Sequence, residues 1–187
     1  MAQLKAVVPE TVFPHGYAVL NADDDLVYKM RDGLKCNVAL FSMDEKNPRI
    51  KKHCAGGGLA AVFENGFVSI MKGTWKIRVA AVKDIPLTYE GKAVHNINNT
   101  LPAVLATYLY RDITIEDIRQ GLLTFVPSSA QTPGRLNFFH FKNFTFLADF
   151  AHNPHGLKLL GDFISKLDYK TKIGIISGTG DRRDEDI

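Results

Sequence analysis

The chain has 187 residues, 45% of them hydrophobic, and carries a net charge of +3 from 23 basic and 20 acidic side chains. That suits a globular protein with one core or two small ones. No apolar run approaches the roughly 20 residues of a membrane span. Met1-Ala2-Gln3-Leu4-Lys5 lacks the apolar segment of a signal peptide. The basic residues are dispersed among acids, so neither membrane nor nucleic acid is an expected partner and a cytoplasmic location is expected. Cys36 and Cys54 form no CxxC pair, which argues against a disulfide framework or a structural zinc site and in favour of two reduced, buried thiols.

In chain order, Tyr17-Ala18-Val19-Leu20 predicts a strand, 24–31 a helix, and Val38-Ala39-Leu40-Phe41 a second strand. Strands of continuous hydrophobicity linked by helices belong to a sheet covered on both faces, so the fold class is α/β. The cluster Arg49-Ile50-Lys51-Lys52-His53 reads as the wet face of a short helix. Gly56-Gly57-Gly58 has no Lys-Ser or Lys-Thr after it and reads as a turn rather than a phosphate loop. Three short strands follow at 60–64, 67–72 and 75–81. Asn65-Gly66 between the first two is a hairpin signal, since both turn positions of that hairpin need positive φ. Helices are predicted over 95–110 and 114–124, the second opened by Thr114 and Asp117 in a capping-box arrangement.

The stretch 127–134 breaks every periodicity and marks a linker and domain boundary. Beyond it, strands are expected at 136–141 and 144–149, a helix over 154–167 and a buried strand at 172–177. A second α/β unit begins there, and no repeat or low-complexity tract is present.

Four segments place polar residues after apolar strands or at helix starts, where open α/β sheets put ligands. Asn21-Ala22-Asp23-Asp24 can hydrogen-bond a ligand or simply form a turn and helix N-cap. In His95-Asn96-Ile97-Asn98-Asn99, Asn96 and Asn99 are three apart and share a helix face. Their amides match a heterocycle edge such as adenine, or cap a solvated first turn. Arg135, in Thr132-Pro133-Gly134-Arg135, is either a phosphate ligand held by a rigid turn or a surface charge. Asp149 ends a strand that turns into a helix, a place suited to a ribose hydroxyl. His152 and His155 have i, i+3 spacing but no further ligand nearby, so no metal site is expected there. Gly178-Thr179-Gly180-Asp181 follows an apolar run like a phosphate-cradling loop, but a lone GxG is weak evidence.

Taken in order, these segments resemble the Mur ligase superfamily. The resemblance rests on Gly16 to Asp24, Phe41-Ser42-Met43, Gln131-Thr132-Pro133-Gly134-Arg135, Asp149-Phe150-Ala151-His152-Asn153-Pro154 and Gly180-Asp181-Arg182-Arg183-Asp184-Glu185-Asp186, and spans essentially the whole chain. It implies a cytoplasmic ligase that uses ATP and Mg²⁺ to convert a carboxylate to an acyl phosphate, which an amine then attacks. The wording is nearest the branch that adds arginine to the side chains of an aspartate-containing polymer. Other branches acting on cell-wall peptides or folates, and a non-catalytic nucleotide-binding module, are the alternatives. By resemblance, Asn96 and Asn99 face adenine, Arg135 the ATP phosphates and Asp149 the ribose. His152 lies beside the nucleotide, and Asp181 and Arg182 sit on a substrate-side loop. The resemblance assigns residues 1–128 to the later half of the central ATPase domain, with a mixed sheet and a small antiparallel portion. It assigns 129–187 to the start of a Rossmann-like C-terminal domain. The family's Gly-rich phosphate loop and its Mg²⁺ ligands are expected upstream of Met1. The chain is therefore expected to be a piece of a larger enzyme, inactive alone and prone to self-association as a homo-oligomer.

Overall fold

The computed structural model describes residues 2–110 and 112–177. A five-stranded sheet, in the order β1 (Tyr17–Asn21), β2 (Asn37–Ser42), β3 (Leu59–Glu64), β4 (Phe67–Lys72) and β5 (Trp75–Ala81), forms its centre. β1, β2 and β3 run parallel; β3, β4 and β5 run antiparallel. The change of direction follows from the connections. Helical crossovers join the first three strands, whereas Asn65 (φ 47°) and Gly66 (φ 83°) supply the two left-handed positions of a tight hairpin.

Successive strand residues point to opposite faces, and both faces are apolar. On one, Ala39, Ala61, Val68 and Ile70 pack against Ile97, Leu101, Val104 and Leu105 of α4 (Val94–Tyr108) and Ile118 of α5 (Ile115–Thr124). On the other, Leu20, Leu40, Ala60 and Val62 pack against Ile50 and Cys54 of α3 (Pro48–Ala55) and Val27 and Tyr28 of α2 (Asp25–Lys29). The expected α/β architecture with a mixed sheet is present. Thr114 and Asp117 form the capping box of α5, each bonding the other's backbone N–H.

A second unit comprises the antiparallel pair β6 (Asn137–His140) and β7 (Thr145–Ala148) with helix α6 (Pro154–Ser165). Asn153 caps α6 by accepting a hydrogen bond from the Gly156 N–H at 2.8 Å. This unit docks on the first through Phe163, which is buried with Leu136 and Ala93 and packs against Tyr89 and Phe138. Among the described residues, no helix is long and apolar enough to cross a membrane.

Three elements differ from expectation. Residues 2–10 form a helix, α1 (Ala2–Glu10), that no periodicity argument identified; it buries nothing, and Leu4, Val7 and Val8 are exposed. The helix expected over 24–31 is α2 with Asp24 as its N-cap, followed by a 3-10 turn at Met30–Gly33. The segment 172–177 is not a strand. It has the apolar residues of one, but a strand is fixed by a partner ladder, and Ile173, Ile175 and Ile176 stand exposed. Cys54 is buried as expected, whereas Cys36 is only half-buried.

Glu64 ends β3 with a side chain only 1% exposed. Its carboxylate accepts from Arg78 at 2.9 Å and Ser69 at 3.3 Å and pairs with Lys76 at 3.2 Å. The hydrogen bond from Arg78, reinforced by Lys76, holds its pKa at about 2 against the opposing effect of burial. The folded state thus binds this proton less readily than the unfolded chain. The resulting stability is present above the ordinary glutamate range and is lost as pH falls from about 4.5 towards 2. Urea midpoints measured across that window should fall with pH, and Glu64→Gln should flatten the part of the slope due to this group.

Candidate functional site

A cavity of about 680 Å³ lies between the two units. One wall is the first turns of α4 with the preceding loop. The other is the turn before β6, the end of β7 and the start of α6. This geometry brings together Asn96, Asn99, Arg135, Asp149 and His152, all five residues that the sequence analysis assigned to a nucleotide. Asp181 and Arg182 lie outside the described residues.

The α4 wall follows from an unusual approach. Ala93, the N-cap of α4, offers no side-chain acceptor, so the helix opens without a capping side chain. Asn96 is therefore not a cap. Its Nδ2 donates to the Leu87 carbonyl at 2.8 Å, tying α4 to the loop before it and leaving its Oδ1 as acceptor. Asn99 is exposed at the cleft. Two further residues of the same segment, given no role of their own by its spacing, also reach this wall. Asn98 also lines the cleft, and its Oδ1 is buried without a hydrogen-bond partner among the described residues. His95 is half-buried, and burial holds its pKa below the usual histidine range, opposed by Asp149 and assisted by Lys166. It is accordingly neutral at pH 7.

The opposite wall is a turn stapled from both sides. Gly134 (φ 69°) and Leu136 (φ 47°) are left-handed, which wraps the backbone around Arg135. The buried Asn137 holds the turn closed. Its Oδ1 accepts from the Gly134 N–H at 2.7 Å, while its Nδ2 donates to the Thr132 carbonyl at 3.0 Å and the Arg135 carbonyl at 3.2 Å. Asp149 Oδ2 accepts from the Leu136 N–H at 2.9 Å, leaving its other oxygen uncommitted by any bond among the described residues. The Arg135 side chain is exposed, lies 5.9 Å from the Phe150 ring centroid, and has no ion pair among the described residues. His152 Nδ1 lies 2.9 Å from the Phe150 carbonyl. A carbonyl can only accept, so that nitrogen carries the proton and Nε2 is free to accept when the ring is neutral.

The Arg135 side of the cleft can therefore take an anion, whereas Asp149 presents a carboxylate oxygen. The N-termini of α4 and α6 both open onto the cleft, adding their partial positive charge to that of Arg135. Among the described residues, no group of three or more histidines, cysteines or acids is placed to hold a metal ion.

The remaining candidate segment, Asn21-Ala22-Asp23-Asp24, lies elsewhere and its acids serve the fold. Asp24 caps α2 through the N–H groups of Leu26 and Val27. Asp23 accepts from Ser42 Oγ at 2.6 Å, the Met43 N–H at 2.7 Å and Asn47 Nδ2 at 2.9 Å, which fastens the ends of β1 and β2 together. Arg49 is drawn into the same corner. It bonds the Ala22 carbonyl, pairs with Asp25 and lies over the Tyr28 ring, so it is not simply the solvated charge its cluster suggested.

Because Arg135 is exposed and unpaired, Arg135→Ala should change stability by no more than about 0.5 kcal/mol. Asn137→Ala removes three hydrogen bonds to part-buried backbone groups and should cost about 1–2 kcal/mol. Chemical unfolding of the two variants checks this contrast.

No family model matches the chain. Over its whole length it is 47% identical to the cyanophycin synthetase of Nostoc sp. and 46% identical to that of Synechocystis sp.. It spans 20% and 21% of those proteins, about one fifth of their length. A more distant relative, the UDP-N-acetylmuramate–L-alanine ligase of Acetivibrio thermocellus, is 28% identical over 156 residues. That match takes in 81% of this chain and 29% of the ligase.

Proposed function

We propose, from the premise that this chain is homologous end to end with one segment of the cyanophycin synthetases, that it forms one side of the nucleotide site of an ATP-dependent amide ligase. The observation that carries the reading is the convergence of Asn96, Asn99, Arg135, Asp149 and His152, distant in sequence, on one cavity of about 680 Å³. That volume lies within the usual range of ligand sites.

The chain's own residues suit a nucleotide. Asn96 and Asn99 offer amide groups to an adenine edge, and Asp149 offers a carboxylate oxygen to a ribose hydroxyl. Arg135 offers the phosphates an uncompensated guanidinium on a backbone fixed by the turn around it, with two helix N-termini adding to its field. His152 can accept a hydrogen bond through Nε2 beside them. Among the described residues, no cluster of acids, histidines or cysteines suits a magnesium ion.

Bound ATP would supply the phosphoryl group that activates a carboxylate for attack by an amine. Arg135 would stabilise charge on the transferring group, a role for which fixed cationic donors are suited. We assign 1–128 to the later half of the central domain and 129–187 to the start of the C-terminal domain, in keeping with the irregular stretch between α5 and β6. The substrates proposed are arginine and an aspartate-containing polymer. The greater identity to cyanophycin synthetases than to the muramate ligase favours them over a cell-wall peptide.

Two measurements test the proposal. Arg135→Ala should weaken ATP binding about 10- to 100-fold, the usual worth of a charge-assisted hydrogen bond, whereas Lys142→Ala, on the hairpin away from the cleft, should not. Equal affinities would contradict the site. In a full-length ligase carrying this segment, ATP turnover should require arginine together with a poly-aspartate primer; turnover indifferent to arginine would contradict the substrate assignment.

A further inference from the structure

Tyr89 joins the two walls of the cleft. Its hydroxyl donates to the carbonyl of Leu136 at 2.8 Å, a contact between residues 47 positions apart. Leu136 is the residue whose N–H Asp149 holds and which directly follows Arg135. The Tyr89 ring packs between Phe138 (centroids 5.3 Å apart) and Phe163 (5.4 Å) of the second unit. Ring and hydroxyl thus grip the same wall at two points.

The backbone that delivers this side chain is strained. Tyr89 (φ 51°) and Glu90 (φ 59°) are both left-handed, followed by Gly91 (φ 81°). A bulky residue in that region is an outlier, since its Cβ crowds the backbone. Such conformations persist where their surroundings over-determine them, and they concentrate at ligand sites. Here the surroundings are Thr88, which is buried. Its hydroxyl bonds the Val82 and Ile85 carbonyls and accepts the Gly91 N–H at 3.2 Å. The anchor lies in the first unit and the aromatic tip in the second.

We infer that Tyr89 is a positioning residue for the nucleotide site: its hydroxyl, held in place by the strained 89–91 turn, sets Arg135 and Asp149 at their distance from Asn96 and Asn99. The inference rests on the cleft being the nucleotide site, and the test separates the two. Tyr89→Phe removes one hydroxyl and keeps the ring packing, so the fold survives.

In hydrogen exchange on the full chain, Tyr89→Phe should speed exchange at 134–137 and 149–151 and leave β1 to β5 unchanged. This arm needs no nucleotide. Unchanged exchange at the turn, or acceleration spread equally over the five-stranded sheet, would overturn the inference. In calorimetric ATP titrations, Tyr89→Phe should weaken binding about three- to tenfold. It should also reduce the effect of Arg135→Ala in the double variant, because a guanidinium no longer held in place has less to lose. Additive effects would mean that Tyr89 acts on stability alone. If Arg135→Ala changes nothing in either background, the nucleotide reading fails, while the exchange result still decides whether Tyr89 holds the wall.

Discussion

The two sheets formed by the described residues share no hydrogen-bonded ladder, so the cleft between them depends on a side-chain contact. Phe163 of α6 is 1% exposed and sits against Tyr89, Phe138 and Leu136. Burial of an aromatic side chain of this kind is worth about 1.5–3 kcal/mol, and it is the main apolar attachment of the second unit. Lys166, one turn beyond, adds a hydrogen bond to the Lys92 carbonyl at 3.2 Å. Every distance across the cleft follows from where that small cluster places β6, β7 and α6 relative to α4.

Within that frame the chemistry is assembled from backbone more than from side-chain pairs. The turn around Arg135 is closed by Asn137 and Asp149 acting on backbone groups. Asn96 likewise spends its donor on the Leu87 carbonyl. These polar groups fix the walls, while Arg135 is left without a partner carboxylate among the described residues. A cation held this way costs little in the folded state because it stays hydrated, yet it is available to an incoming anion. The buried and unpaired Asn98 oxygen is the converse case, a group whose desolvation nothing described here offsets.

The sequence exposed the parts governed by local rules. Asn65-Gly66 could hardly be anything but a hairpin, Thr114 with Asp117 announced a helix start, and the continuous apolar strands announced a doubly covered sheet. Motif wording singles out five residues by resemblance, and folding brings those five to one cavity. Position-dependent facts were not legible. Asp23 suits a turn more readily than a ligand by residue type alone, and the arrival of Ser42, Met43 and Asn47 at its oxygens decides for structure. Tyr89 carried no signal, because a left-handed tyrosine is written nowhere in residue type; Gly91 two positions on is the single hint. The apolar 172–177 has the composition of a strand, but hydrophobicity alone cannot supply a neighbouring strand. The helix Ala2–Glu10 was missed because Pro9 and the absence of a buried face disguise it.

The central claim is that adenine sits on the α4 wall and the phosphates on the Arg135 wall. Photolabelling with an azido-adenine analogue of ATP, followed by peptide mapping, tests it most directly. Label centred on 94–99 of the α4 wall, and competed away by ATP, is the predicted result. Label on 21–25 and 42–49, at the ends of β1 and β2, or label that ATP does not displace, would contradict it.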